Sequence, residues 1–98
     1  MNIESIDQYI VCRDNCPPRF IEALAMNGFV KEARVEPCEK PRHQRIVVTL
    51  INGARITSEC RFDEEIKQSM KIIGVYIELA KKNKAEEQME VLSKPAID

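Results

Sequence analysis

The dipeptide Asn52-Gly53 constrains the fold of this chain more than any other feature. It interrupts a stretch rich in β-branched and apolar residues, 45–62, and Asn-Gly in such a setting is the strongest short-range signal for a two-residue β-hairpin turn. A type I′ turn requires positive φ at both central residues, which Asn tolerates and Gly adopts without strain. We therefore predict a hairpin in which Thr49 lies opposite Ile56.

This register gives the predicted hairpin two different faces. The face expected to join the core carries Val47, Thr49, Ile51, Ala54, Ile56, Cys60 and Phe62. On the other face the first strand presents Ile46, Val48 and Leu50, whereas the second strand presents charged and hydroxyl side chains. A contiguous apolar stripe on a surface is typical of an interaction site. The sequence thus predicts an interaction surface formed by Ile46, Val48 and Leu50, unless a helix or another chain covers it.

The remaining segments predict an α+β fold. A helix over residues 18–27 follows two prolines and ends before Gly28, and a strand over 29–35 leads into a proline-rich loop. A long helix starts at Asp63, a good N-cap. Its apolar stripe is Ile66, Met70, Ile73, Ile77 and Ala80, widened by Ile72, Val75, Tyr76 and Leu79. The order is α-β-β-β-α, with a three-stranded antiparallel sheet packed against helices.

The two ends of the chain are less determined by their sequence. Residues 3–12 fit a helix through the spacing of Ile3, Ile6 and Ile10, which we favour slightly, or a short strand at 9–12 that would add a fourth member to the sheet. The long helix is expected to fray near residues 81–84, before a charged tail or short helix at 84–98. We predict one domain over 1–98 with its core in 15–83.

Composition narrows the functional classes. The chain has 98 residues, 44% of them hydrophobic, and a net charge of −1, as an ordinary globular domain would. No apolar run is long enough to cross a membrane and the first residues do not resemble a signal peptide, so a cytoplasmic protein without membrane contact is expected. Residues 31–61 hold seven basic and four acidic side chains. This mild excess falls short of the dense basic surface of a dedicated nucleic-acid-binding protein.

Several local motifs follow the same order as in a known family. The first helix ends in A-M-N-G-F, the loop K-P-R-H-Q-R leads into the second strand, and a tight turn and a long last helix follow. Over residues 18–82 the chain resembles the double-stranded RNA-binding domain. The resemblance implies that His43 matches a loop histidine that reaches the RNA minor groove. The family's lysine cluster K-K-x-A-K, which grips phosphates, is replaced by D-E-E-I-K at 63–67, so the resemblance does not carry the RNA-binding function over.

The cysteines and the single histidine suggest a metal site. Cys12 and Cys16 are spaced C-x3-C, and Cys38 and His43 are spaced C-x4-H, near the spacings of structural zinc sites. The alternative is that the thiols are small buried hydrophobic groups, as expected for Cys60 on the core face. A disulfide between Cys12 and Cys16 is the least expected state for a cytoplasmic protein.

No motif of the sequence predicts catalysis. His43 has no neighbouring Ser or Asp, and there is no Gly-rich phosphate loop, so we predict a protein that is not an enzyme and has no cofactor other than the zinc considered above. The first hypothesis is a small protein-interaction module that binds a protein partner or forms a homodimer, comparable in size to bacterial or phage accessory and inhibitor proteins. The alternative is a nucleic-acid-binding domain of the double-stranded RNA-binding type that uses the basic loop 40–45, with contacts from Arg42, His43 and Arg45.

Overall fold

The structure, a computed structural model, describes the backbone of residues 3–93 and the side chains of residues 6–83. Its elements, in chain order, are a 3₁₀ helix Ile3–Tyr9, α1 Pro18–Met26, β1 Val30–Pro37, β2 His43–Leu50, β3 Arg55–Thr57, β4 Arg61–Phe62 and α2 Asp63–Ser93. The antiparallel sheet has the order β1-β2-β3, and β4 also pairs with β2. The predicted α+β class and the α-β-β-β-α layout are confirmed, with the third predicted strand divided in two.

The boundaries of α1 follow the local signals of the sequence. Pro18 occupies the first helical turn, where its missing N–H costs nothing. At the other end Gly28 has φ 79°, and its N–H donates to the carbonyl of Ala25 at 2.9 Å. The N–H of Phe29 reaches the carbonyl of Leu24 at 3.0 Å, so the last turn of the helix is closed before β1 begins.

The loop of the hairpin between β2 and β3 is one residue longer than predicted. Leu50 donates its N–H to Ala54 at 2.8 Å, which leaves a three-residue loop, 51–53. Gly53 has φ 91°, as predicted, but Asn52 is not among the described residues with positive φ, so that part of the prediction is wrong. Asn52 instead accepts the N–H of Ala54 on its side-chain oxygen at 3.0 Å. A left-handed glycine that closes a three-residue loop is the next most common hairpin arrangement.

The longer loop changes the register by one residue and exchanges the two faces of β2. Val48 lies opposite Ile56 and Thr49 lies opposite Arg55, not opposite Ile56 as predicted. The side chains of Ile46, Val48 and Leu50 are completely buried. The prediction that they form an exposed interaction surface is therefore wrong. Phe62, predicted to be in the core, is 55% exposed.

The helices cover one face of the sheet and enclose a single hydrophobic cluster. Its fully or almost fully buried members are Ile6, Cys16, Ile21, Leu24, Ala25, Phe29, Val30, Ile46, Val48, Leu50, Ile56, Ile66 and Ile73. These residues come from the 3₁₀ helix and from every other element except the short β4. The cluster therefore joins all these elements between residues 6 and 73 in one core. Burial of this apolar surface is the main stabilising contribution to the fold.

The N-terminal segment forms the helix that its sequence favoured, and residues 9–12 do not form the alternative strand. Residues 3–9 are helical, as favoured, although the helix is of the 3₁₀ type. The chain then runs beside β3, where Cys16 forms a parallel bridge with Ser58. Cys16 donates its N–H to Thr57 at 3.0 Å, and Thr57 donates its own to Arg13 at 2.8 Å. The segment therefore covers part of the β3 edge of the sheet without becoming a regular strand.

A β-bulge separates β3 from β4. Between the pairs Val47–Thr57 and Gln44–Arg61, two residues of β2 face three residues, 58–60, of the other strand. The buried hydroxyl of Ser58 accepts the N–H of Ile46 at 2.8 Å. This bond satisfies a backbone donor that the bulge would otherwise leave without a partner.

α2 is longer than its sequence predicted. It continues without a break from Asp63 to Ser93, so the expected fraying at residues 81–84 and the separate short helix after it are wrong. No glycine or proline lies between Gly74 and Pro95, and Lys, Ala, Glu, Gln and Met are strong helix formers. Its 31 residues correspond to a length of about 46 Å. In the described part of the chain, no helix is both long and apolar enough to span a membrane.

Replacing Gly53 with valine is expected to destabilise the domain by about 1–2 kcal/mol. Its φ of 91° lies in a region that β-branched residues avoid, although no atom stands within 4 Å of where a Cβ would be placed. The cost should therefore be conformational and not steric. Urea unfolding followed by circular dichroism measures it, with Arg55→Val at the exposed first position of β3 as control. A Gly53→Val protein as stable as wild type would contradict the left-handed assignment.

Candidate functional site

α2 has apolar side chains on two opposite sides. Ile66 and Ile73 point into the core and are fully buried. Ile72, Val75 and Leu79 point outward and are 40%, 57% and 45% exposed. Their spacing of i, i+3 and i+7 places them on one side of the helix, which we call the outer face of α2. The apolar pattern of the sequence predicted that these three side chains belong to the buried stripe, and that prediction is wrong.

The outer face of α2 contains a shallow depression of about 470 Å³. Val75, Glu78, Leu79 and Lys82 line it at positions i, i+3, i+4 and i+7, and Gly74 extends it. Four residues at this spacing form the hole that receives a side chain of another helix in knobs-into-holes packing. The site therefore has the local shape that accepts a helix.

Gly74 lies in the interior of α2 and has no role in a turn. Its φ is not positive, and no atom lies within 4 Å of the position that a Cβ would take. A glycine in the interior of a helix costs about 1 kcal/mol relative to alanine. It borders both the depression on the outer face of α2 and a second depression of about 240 Å³ between α2 and β1.

The residues predicted to contact nucleic acid lie together at the start of β2, away from the hairpin loop. Arg42 has φ 62° and accepts the backbone N–H of Asp63 at 2.9 Å, so the basic loop lies against the start of α2. The ring of His43 lies 4.5 Å from that of Phe62, and its Nδ1 is 2.9 Å from the carbonyl of Pro41. Arg45 donates to the Sγ of Cys60 at 3.2 Å.

Acidic groups surround this basic loop. Asp63, Glu64 and Glu65 form the first turn of α2 and are exposed. Arg61, on the neighbouring strand β4, forms ion pairs with Glu59 and, at 3.1 Å, with Glu65. The hydrogen bond that Arg61 donates to Glu59 raises the pKa of the Arg61 guanidinium above its usual value, and Glu65 acts in the same direction. This arginine is therefore already engaged by carboxylates.

A depression of about 510 Å³ lies between the starts of α1 and α2. Arg19, Glu22, Arg61, Glu64, Glu65 and Ser69 are among its lining residues. Ser69 donates its hydroxyl to Glu22 at 2.7 Å and Arg61 is bound to Glu65, so several of its polar groups already bind one another.

The four cysteines form two disulfides, Cys12–Cys16 and Cys38–Cys60. The first is the pairing that the sequence made least expected, and the second joins the end of β1 to the bulge between β3 and β4. Within the described residues no three His, Cys, Asp or Glu side chains converge as a metal site requires. The structure thus does not assemble the predicted zinc ligands Cys12, Cys16, Cys38 and His43. A zinc site would need the thiolates of a reduced and rearranged chain.

No protein-family model matches the chain, and neither a curated protein nor a solved structure does. The likeness to the double-stranded RNA-binding domain stays a prediction from its element order and loop residues.

Proposed function

We propose that this chain is a small, non-catalytic protein-interaction module whose contact surface is the outer face of α2. The observation that carries the proposal is the exposure of three large apolar side chains, Ile72, Val75 and Leu79, at helical spacing on one side of a regular helix. Their inward neighbours already fill the core, so the outward side chains add nothing to the packing of the fold. Apolar side chains grouped in this way gain stability when a partner covers them.

The mode of recognition would be helix against helix. The lining of the depression by residues at i, i+3, i+4 and i+7 suits a partner that inserts one apolar side chain between Val75 and Leu79. The surrounding charged groups, Glu78 and Lys82, would remain at the rim, where water reaches them. Recognition of this type needs a rigid helix, which α2 supplies because its inner side is anchored in the core.

Site-specific crosslinking in cells tests this function. A photo-crosslinkable residue replaces Val75, and a matched variant carries it at Val11, an equally apolar side chain that is 81% exposed on the N-terminal segment. We expect a discrete protein adduct from position 75 and not from position 11. Adducts of equal yield and identity at both positions would contradict the proposal, because they would reflect random encounters.

The second candidate function, nucleic-acid binding, is favoured by the pair of Phe62 and His43. Phe62 is an exposed ring that contacts His43 at an interplanar angle of 41°, and Arg42 and Arg45 lie nearby in the chain. Aromatic rings beside arginines support base stacking in many single-strand-binding proteins. The exposed carboxylates of the first turn of α2 act against it, since they repel phosphates.

We expect no detectable binding of duplex RNA at physiological salt. The backbone contact between Arg42 and Asp63 places the loop beside carboxylates that outweigh the half-charge of the helix dipole. Fluorescence anisotropy with a labelled duplex measures this, and a variant with Asp63, Glu64 and Glu65 changed to lysine serves as the control that should gain affinity. Tight, salt-sensitive binding by wild type would favour the second candidate.

A further inference from the structure

The two disulfides lie in different surroundings. Cys38 follows β1 and Cys60 lies in the bulge between β3 and β4, so their bond joins segments on the two sides of the central strand β2. Both of these residues are partly exposed. In the other disulfide Cys16 is completely buried in the hydrophobic cluster, and only Cys12 is partly exposed. Solvent therefore reaches both residues of the first disulfide but only one residue of the second.

A cation contacts one sulfur of the exposed disulfide. The Nη2 group of Arg45 donates a hydrogen bond to Sγ of Cys60 at 3.2 Å. Arg45 precedes Ile46, whose side chain is buried in the core between the sheet and the helices. Because successive side chains of a strand point to opposite faces, Arg45 lies on the face of the sheet away from the helices. The guanidinium and the sulfur thus meet outside the core.

Two neighbouring carboxylates are paired with other arginines. Glu36 lies directly opposite Arg45 on β1 and forms an ion pair with Arg34. Glu59 lies in the bulge and forms an ion pair with Arg61. Among the side chains that the structure describes, Arg45 forms no ion pair. Its positive charge is therefore available to the sulfur that it contacts.

We propose that the Cys38–Cys60 bond is a site of thiol–disulfide exchange, at which a small-molecule thiol of the glutathione class attacks Cys38 and Cys60 leaves as a thiolate. Exchange is faster when the departing thiolate is stabilised, and an adjacent arginine stabilises a thiolate. The contact of Arg45 with Cys60 selects Cys60 as the leaving group, so Cys38 is the sulfur that is modified. This inference is independent of the proposed interaction function, since it concerns the sheet and not α2.

The exchange conserves atoms and electrons. The attacking thiol loses its proton to water, and its thiolate forms a new S–S bond with Sγ of Cys38. The bond to Cys60 breaks as this bond forms, and its electron pair leaves on Sγ of Cys60 beside the guanidinium. A second molecule of the thiol then attacks the small-molecule sulfur of the mixed disulfide and releases Cys38 as a thiolate. The protein gains two electrons in all, and two small thiols become one disulfide.

The same reaction is disfavoured at the second disulfide. Attack at Cys12 would release Cys16 as a thiolate inside the hydrophobic cluster. A charge without a partner is costly there, and apolar surroundings favour the thiol over the thiolate. We therefore expect Cys38–Cys60 to open about tenfold faster than Cys12–Cys16, or more.

Glutathione treatment of the full chain, with both disulfides intact, tests the site of attack. Excess N-ethylmaleimide stops the reaction at short times, and mass spectrometry of the peptides locates each modification. We expect the first products to carry glutathione on Cys38 and maleimide on Cys60, with the bond between Cys12 and Cys16 still intact. Glutathione mainly on Cys60, or earlier opening of the other disulfide, would overturn the proposal.

Substitution of Arg45 tests the cause of the selectivity. Arg45→Gln should slow the opening of Cys38–Cys60 by β-mercaptoethanol, an uncharged thiol, about fivefold, whereas Arg45→Lys should keep most of the wild-type rate. Arg55→Gln removes the same charge from an exposed position of β3 and is the matched control. A variant that only loosened the fold would be reduced faster, so the sign of the change separates an electrostatic role from a structural one. An Arg45→Gln rate equal to or above that of wild type would exclude the role of Arg45, and so would an Arg45→Lys rate as low as that of Arg45→Gln.

Discussion

Val48→Glu is expected to unfold the domain. The Val48 side chain is completely buried between the sheet and the helices, opposite Ile56. A carboxylate there would either remain charged without a partner or take up a proton, and either state costs several kcal/mol. A loss of about 4 kcal/mol or more is a large share of the 5–15 kcal/mol that stabilises a typical domain.

The matched control is the same substitution at Val75, where the side chain is 57% exposed on the outer face of α2. Val75→Glu should change the free energy of unfolding of the monomer by no more than about 0.5 kcal/mol. Urea titration of both variants, followed by circular dichroism, makes the comparison. If Val48→Glu unfolds at the same urea concentration as wild type, the register of the hairpin described above is wrong.

The hairpin shows which structural features a local sequence signal can predict and which it cannot. Asn52-Gly53 correctly located the turn and the left-handed glycine, because both loop types need Gly at that place. The signal did not distinguish a two-residue loop from a three-residue loop, since Asn suits either. A loop that is one residue longer shifts the pairing by one residue and exchanges the side chains of β2 that face the core with those that face away from it. Val47 and Val48 are both apolar and both buried, so the composition of the strand gave no independent check on its register.

The candidate site was missed for a related reason. The apolar residues of α2 occupy more than half of the helix circumference, and the sequence offers no marker for which of them face the sheet. Once Ile66 and Ile73 are placed in the core, helical geometry turns Ile72, Val75 and Leu79 away from it. The useful signal was the excessive width of the apolar stripe, because a helix that packs one side against a sheet needs a narrower one.

Removing the Cys38–Cys60 disulfide is expected to cost about 3 kcal/mol. The two cysteines are 22 residues apart, and a bond of that span restricts the unfolded chain strongly in the chain-entropy description. In a domain of this size the corresponding fall in Tm is about 15 °C. The paired substitution Cys38→Ala with Cys60→Ala, measured by calorimetry, tests this value.

The second disulfide provides the internal comparison. Cys12 and Cys16 are only four residues apart, so their paired replacement should cost less, about 2 kcal/mol. Treating wild type with a reductant should give a loss close to that of both paired variants combined. Equal stability of oxidised and reduced wild type would show that these bonds do not contribute to the fold.

The reduced protein also separates the disulfides from the zinc hypothesis. Free thiolates can bind zinc, and a zinc site that forms on folding would return stability to the reduced chain. In the described residues no three His, Cys, Asp or Glu side chains converge as a zinc site requires, and the four cysteines are paired with one another. We therefore expect zinc to leave Tm of the reduced protein unchanged.

Thiol counting on protein taken directly from its host should find the cysteines oxidised, as in compartments where disulfides persist. Four free thiols in that sample would instead support the cytoplasmic location predicted from the sequence.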